Sequence, residues 1–133
     1  MKKLNVVGAI IIENNKLFSA KRGESKNPEV AYKYEFVGGK IEDGESGDIA
    51  VIRELKEEMD LKVEVLEHFM TVTYDYQMYE VTLSTYLCKR LSDYVVKEHV
   101  SADWLCLDEL DISTWAPADE PILQKLINEG YLG

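Results

Sequence analysis

The chain has 133 residues, with 15 Lys+Arg against 25 Asp+Glu and a formal net charge of −10, a length that fits one domain spanning residues 1–133. Hydrophobic residues make up 46% and charged ones 30%, which excludes the low-apolar composition of a disordered chain. The acidic balance excludes the Lys/Arg stripe from which affinity for polymeric nucleic acid derives, but leaves room for a small polyanion bridged by a divalent cation.

Met1-Lys2-Lys3 is a charged start, and Asn5, Glu13 and Asn14-Asn15 interrupt anything long enough for a signal or membrane segment. A cytoplasmic protein without membrane contact is expected. Val6 to Ile12 is a nearly continuous apolar run that predicts a strand, turning through Asn14-Asn15 into a second strand at Leu17 to Ala20 as a hairpin. Gly23 to Pro28 is loop-like. Tyr34 to Val37 forms a short extended piece entering Gly38-Gly39, where the backbone must change direction.

Asp48 to Met59 predicts the clearest helix, with Ser46 as N-cap and an apolar face of Ile52, Leu55 and Met59. Lys62 to Tyr74 and Tyr79 to Cys88 are rich in Val, Thr and Tyr and predict two strands paired as a hairpin. Trp104 to Leu107 adds a short strand. Pro121 to Asn128 predicts a closing helix, opened by Asp119-Glu120-Pro121 and stopped by Gly130. Cys88 and Cys106 have no metal or disulfide spacing and read as buried small hydrophobes. Strands around two helices, without a βαβ rhythm or a phosphate loop, imply a mixed α/β (α+β) sandwich and not a doubly wound sheet.

On the first helix Glu54, Glu57 and Glu58 stand at i, i+3 and i+4, one patch of three carboxylates facing away from Ile52, Leu55 and Met59. Like charges at this spacing destabilise a helix by a few tenths of a kcal/mol, and a hard divalent cation shared with substrate phosphates would offset that cost. A solvated face softened by Arg53 at i,i+4 from Glu57 explains the same patch. The helix alone does not choose.

The spacing around it does. Gly39, five residues, Glu45, seven residues, Arg53-Glu54-Leu55, one residue, Glu57-Glu58, one residue, Asp60-Leu61 resembles the Nudix box of the Nudix hydrolases. The N-terminal strands, Glu35-Phe36-Val37-Gly38-Gly39-Lys40, Glu98-His99 and Ala116-Pro117-Ala118-Asp119 extend the resemblance to MutT-type members over most of the chain. Val37 replaces a proline frequent in relatives, and Asp60 replaces the last glycine of the box.

The resemblance implies an α/β/α sandwich with a mixed central sheet. It also implies hydrolysis of a nucleoside triphosphate to monophosphate and pyrophosphate, by attack of water at the β-phosphorus. Mg²⁺, or Mn²⁺, would be held by Glu54, Glu57, Glu58 and the carbonyl of Gly38. Arg53, Glu54, Glu57 and Glu98 make up the implied catalytic set, with Arg53 orienting a neighbouring glutamate and Glu98 acting as ligand or base. Gly39 and Glu45 are implied structural residues, and Arg22 and Lys40 would meet phosphates. His99 is read as a polar loop residue outside the site.

Asp119 resembles the residue that reads the base, and it also suits a helix N-cap. Phe36, Tyr34 and Trp115 would stack on the base or belong to the core. An ionised carboxylate only accepts, which fits the cytosine amino group and favours CTP, dCTP or a 5-substituted dCTP. 8-oxo-dGTP is the alternative, followed by ADP-ribose or a nucleotide sugar. The intact box glutamates argue against a nucleotide-binding module without turnover. Beyond the small nucleotide no partner is implied, and the chain would be a monomer or, through an exposed strand edge, a homodimer.

Overall fold

The computed structural model describes residues 2–133. β1 (Lys2–Ile10) runs antiparallel to β5 (Gly38–Lys40) and parallel to β7 (Tyr79–Arg90), and β6 (Val63–Asp75) pairs antiparallel with the far edge of β7. One parallel pair among antiparallel ones makes this sheet mixed. Successive side chains of a strand point to opposite faces, so Val7 and Ala9, with Ile11 just beyond, enter one core while Ile10, Leu4 and Val6 enter another. Helix α1 (Gly47–Met59) covers the first through Ala50, Val51, Leu55 and Met59. Helix α2 (Glu120–Asn128) covers the second through Ile122, Leu123 and Leu126. The sheet is thus the middle layer of the expected α/β/α sandwich.

A second sheet is built on β3 (Lys16–Lys21). β2 (Ile12–Glu13) and β4 (Tyr34–Glu35) take opposite ends of one edge, and β8 (Ser101–Cys106) runs along the other. The expected hairpin is therefore shorter than its apolar run. Only Ile12 and Glu13 pair back onto Leu17 and Lys16, across Asn14 and Asn15 at φ 53° and 61°. Residues 6–10 leave that hairpin for the mixed sheet, because a run apolar on both faces is satisfied in a strand covered on both faces.

The β6–β7 hairpin forms as expected, with register shifts near Leu66 and Phe69. Ser46 is the N-cap of α1, but its hydroxyl donates to Asp48 Oδ1 at 2.6 Å instead of capping the backbone. The buried face of α1 is rotated from the expected one: Ile52 is 39% exposed while Glu54 is turned inward. Asp60 ends the helix in the left-handed conformation, φ 53° and ψ 27°, with its N–H on the carbonyls of Leu55 and Lys56, a role Asp tolerates better than most residues. Cys88 is buried, whereas Cys106 is only half-buried. Among the described residues no helix is long and apolar enough to cross a membrane.

Candidate active site

Gly38 and Gly39 let β5 approach both β1 and α1. A Cβ at Gly38 would overlap the Val7 carbonyl, and one at Gly39 would overlap the Glu54 carboxylate. Glu54 can therefore be buried against backbone only because residue 39 has no side chain. Gly38 and Gly39 keep β5 in register opposite Gly8 and Val7, which fixes the carbonyl-bearing strand beside the acidic helix.

Arg53 is the hub of the helix side. Its Nε and Nη2 donate to Glu45 Oε2 and Oε1 at 2.7 and 2.8 Å, and Nη2 also donates to the Lys40 carbonyl at 2.9 Å. Nη1 donates to Glu54 Oε1 at 2.9 Å and Glu57 Oε2 at 3.1 Å. One guanidinium thus ties the 40–45 loop to the helix and holds two of the three helix carboxylates, a geometry a lysine could not reproduce. The forked bond from Arg53 pulls the Glu45 carboxyl down to about 2. Burial, followed by the charges of Glu98 and Glu54, pushes the Glu58 carboxyl above the ordinary range.

A cavity of about 460 Å³ opens beside these residues. Gly38, Gly39, Lys40, Glu58, Glu98 and Arg22 supply its charged wall; Phe36, Val81, Leu83, Tyr76, Tyr79 and Asp119 supply the apolar wall. Eight of the sequence-predicted residues thus line one space. Arg53, Glu54, Glu57 and Glu45 stand behind it, with Glu57 57% exposed at its side chain. Trp115 is not at the wall: it is 1% exposed beneath Phe36, ring centroids 5.0 Å apart, and belongs to the core. Tyr34 also stays off the wall, its hydroxyl donating to Asp103.

The donor set fits a hard divalent cation. All its groups are oxygens, and the crowding of Glu58 by Glu98 and Glu54 leaves negative charge that a cation would neutralise. Among the described residues no three His, Cys, Asp or Glu side chains stand close enough together to hold an ion by themselves.

Asp119 departs from its N-cap reading. Its side chain caps nothing in α2; instead the Phe36 N–H donates to its Oδ1 at 3.1 Å across the cavity floor. Burial, reinforced by the charge of Glu35, holds this carboxyl well above the carboxylate range, against the smaller opposing pull of the Phe36 N–H and Arg22. Burial thus works against the ionised, accept-only Asp119 on which the cytosine reading rests, and that burial is tertiary. Tyr76 lies beside it, its hydroxyl accepting from the Ala118 N–H at 2.9 Å.

Sequence reasoning missed two further wall residues. His99 is partly buried, with Nε2 2.8 Å from Glu35 Oε2, and Glu35 in turn accepts from Arg22 Nη1 at 3.4 Å. The adjacency of His99 to Glu98 was the available signal, and the polar loop around it hid it.

Residues 2–126 match the NUDIX domain. Over 128 residues the chain is 37% identical to the 8-oxo-dGTP diphosphatase of Escherichia coli K12, covering 95% of this chain and 98% of that protein. The CTP pyrophosphohydrolase of the same organism is 30% identical over 96% of this chain and 93% of its own length. The solution structure of the MutT protein of methicillin-resistant Staphylococcus aureus 252 superposes with a TM-score of 0.73 at 40% identity, over 98% of this chain and 100% of that one. With Gly39 and Glu58 of the box at the cavity wall, Arg53 joining Glu45, Glu54 and Glu57 behind it, and a family match over nearly its whole length, the chain belongs to the Nudix hydrolases, as a nucleoside triphosphate pyrophosphohydrolase.

Proposed function

We propose that the preferred substrate is 8-oxo-dGTP, hydrolysed by water to 8-oxo-dGMP and pyrophosphate. The observation that carries this preference is the buried Asp119 carboxyl, held toward its neutral form at the apolar end of the cavity. A neutral carboxyl has one O–H donor besides its acceptor capacity, the pairing that the O6 and N7–H edge of an oxidised guanine requires. The cytosine amino group offers donors only on that edge. The relative named 8-oxo-dGTP diphosphatase, 37% identical over 95% of the chain, supports the same choice.

In this reading Glu54, Glu57, Glu58 and the Gly38 carbonyl hold Mg²⁺, with Mn²⁺ able to substitute. Bound there, the cation would supply neutralisation of phosphate charge and a more acidic water. Arg53 holds Glu54 and Glu57 in place, a service whose loss costs metal sites 10–100-fold in activity, as an order of magnitude. Glu98 faces the same space as Glu58 and accepts the proton of the attacking water. The water oxygen bonds to the β-phosphorus, the bond from that phosphorus to the α,β-bridging oxygen breaks, and the nucleoside monophosphate leaves. Arg22 and Lys40 bind the phosphates, and Phe36 meets the base.

Pyrophosphate release from 8-oxo-dGTP, dGTP, dCTP, CTP and ADP-ribose, with and without Mg²⁺ and beside Glu57→Gln, tests the proposal. The expected result is the highest kcat/KM for 8-oxo-dGTP, loss without Mg²⁺, and loss in the variant. A higher kcat/KM for dCTP or CTP overturns the base assignment and leaves the metal assignment standing.

A further inference from the structure

The end of β3 brings three residues of different segments together. β4 pairs one edge of β3, with Ala20 opposite Glu35, and β8 pairs the other, with Lys21 opposite Ser101. Arg22 follows β3 directly, and the Val100 N–H donates to the Lys21 carbonyl at 2.8 Å, which sets His99 beside this strand end. His99 and Glu35 meet at 2.8 Å, and Glu35 receives Arg22 on its other oxygen. All three line the cavity.

Two observations show that the ring is placed for the Glu35 contact. Its side chain is 9% exposed, in a loop where a histidine could reach solvent. Its Nδ1 is buried without a hydrogen-bond partner, and burying a polar atom unpaired is costly. Between a ring nitrogen and a carboxylate the nitrogen donates, so Nε2 carries hydrogen, and Nδ1 is the atom left without a partner. Glu35 needs such a donor, since it also faces the carboxylate of Glu58.

We infer that His99 is a positioning residue: its Nε2–H fixes Glu35, and Glu35 aims the half-exposed Arg22 guanidinium at the phosphates of the bound nucleotide. The inference rests on the cavity being the nucleotide site. It assigns His99 no proton transfer and no contact with substrate. Its consequence is a loss of binding in the ground state and transition state alike, which raises KM and spares kcat.

The test is a set of variants assayed at pH 8 with 8-oxo-dGTP. His99→Ala raises KM about tenfold with kcat within about threefold, the size of one lost charge-assisted contact. His99→Gln, whose amide nitrogen reaches the place of Nε2, recovers most of that loss; His99→Asn, which reaches only the place of Nδ1, does not. Arg22→Met raises KM at least as much, and the double variant His99→Ala/Arg22→Met is no worse than Arg22→Met alone. Additive losses, a fall in kcat without change in KM, or equal recovery by Asn and Gln overturns the inference. Two readouts are independent of turnover. Ring ¹⁵N spectra show the Nε2–H tautomer in the free protein and lose it in Glu35→Ala, and a ring protonated at Nδ1 alone overturns the pairing. Affinity for an α,β-imido nucleoside triphosphate follows the same variant order, so a chain that turns over none of the substrates refutes the proposed activity while the positioning of Arg22 is still decided by binding; unchanged affinity in His99→Ala overturns it.

Discussion

The two helices flank one sheet and treat carboxyl groups in opposite ways. On the α1 side Glu45 accepts both arms of the Arg53 fork, and its carboxyl is drawn down to about 2. On the α2 side Asp119 accepts one backbone N–H, is buried, and is driven well up. Partner count and burial, not residue type, decide which carboxyl stays charged. In the proposed reading the contrast suits a nucleotide: negative charge on the side assigned to the cation, and a carboxyl biased toward its neutral form on the side assigned to the base.

Arg53→Lys breaks the contrast most severely. A lysine cannot bridge Glu45, the Lys40 carbonyl, Glu54 and Glu57 together, so kcat should fall roughly 10–100-fold. The Glu45 carboxyl should move up toward its ordinary value in ¹³C-detected titration. Activity within twofold of wild type would show that the fork is not what orders the helix carboxylates.

Asp119→Asn sharpens it from the other side. A raised carboxyl keeps its proton in the folded protein after the unfolded chain has released it, so the folded state loses relative stability as pH rises above about 3.9. The amide cannot ionise and still accepts from Phe36. Its Tm should match the wild type near pH 4 and exceed it by a few degrees at pH 8, with hydrolysis of 8-oxo-dGTP retained because an amide also donates and accepts. A Tm difference independent of pH would sink the neutral-acid account.

Asp60→Gly carries the smallest expected effect. It removes the 3.0 Å pair with Lys97, whose side chains are 51% and 40% exposed, and pairs in such surroundings contribute about 0–1 kcal/mol. It also relieves a left-handed residue, worth about 1 kcal/mol in the other direction. Denaturant unfolding should show a net change within about 1 kcal/mol, and a larger loss would mean that this exposed pair matters as the Arg53 cluster does.

What the sequence made legible follows from the range of each interaction. Helices α1 and α2 and the β6–β7 hairpin are written in local periodicity and end signals, and the structure has them within two residues or so of the expected spans. The resemblance implied that Arg53 would orient a neighbouring glutamate, and Glu54 and Glu57 lie on its own helix. The exchange of sheets at Ile11 was hidden, since an apolar run does not reveal how many faces will cover it. The inward turn of Glu54 and the outward turn of Ile52 depend on β5 passing beside α1 with glycine at position 39. The Phe36–Asp119 and Glu35–His99 contacts join residues 83 and 64 positions apart. No local pattern encodes them.

β1 is shared by two separate hydrophobic cores, and that sharing bears on how such a chain can diversify. Substitutions among Tyr76, Val81, Leu83 and the α2 face repack one compartment. The compartment of Val51, Leu55 and Met59 that seats the acidic helix lies across the strand. In the proposed reading, a lineage could therefore exchange the nucleobase it accepts through changes confined to one side of a single strand, while the acidic helix is inherited intact on the other.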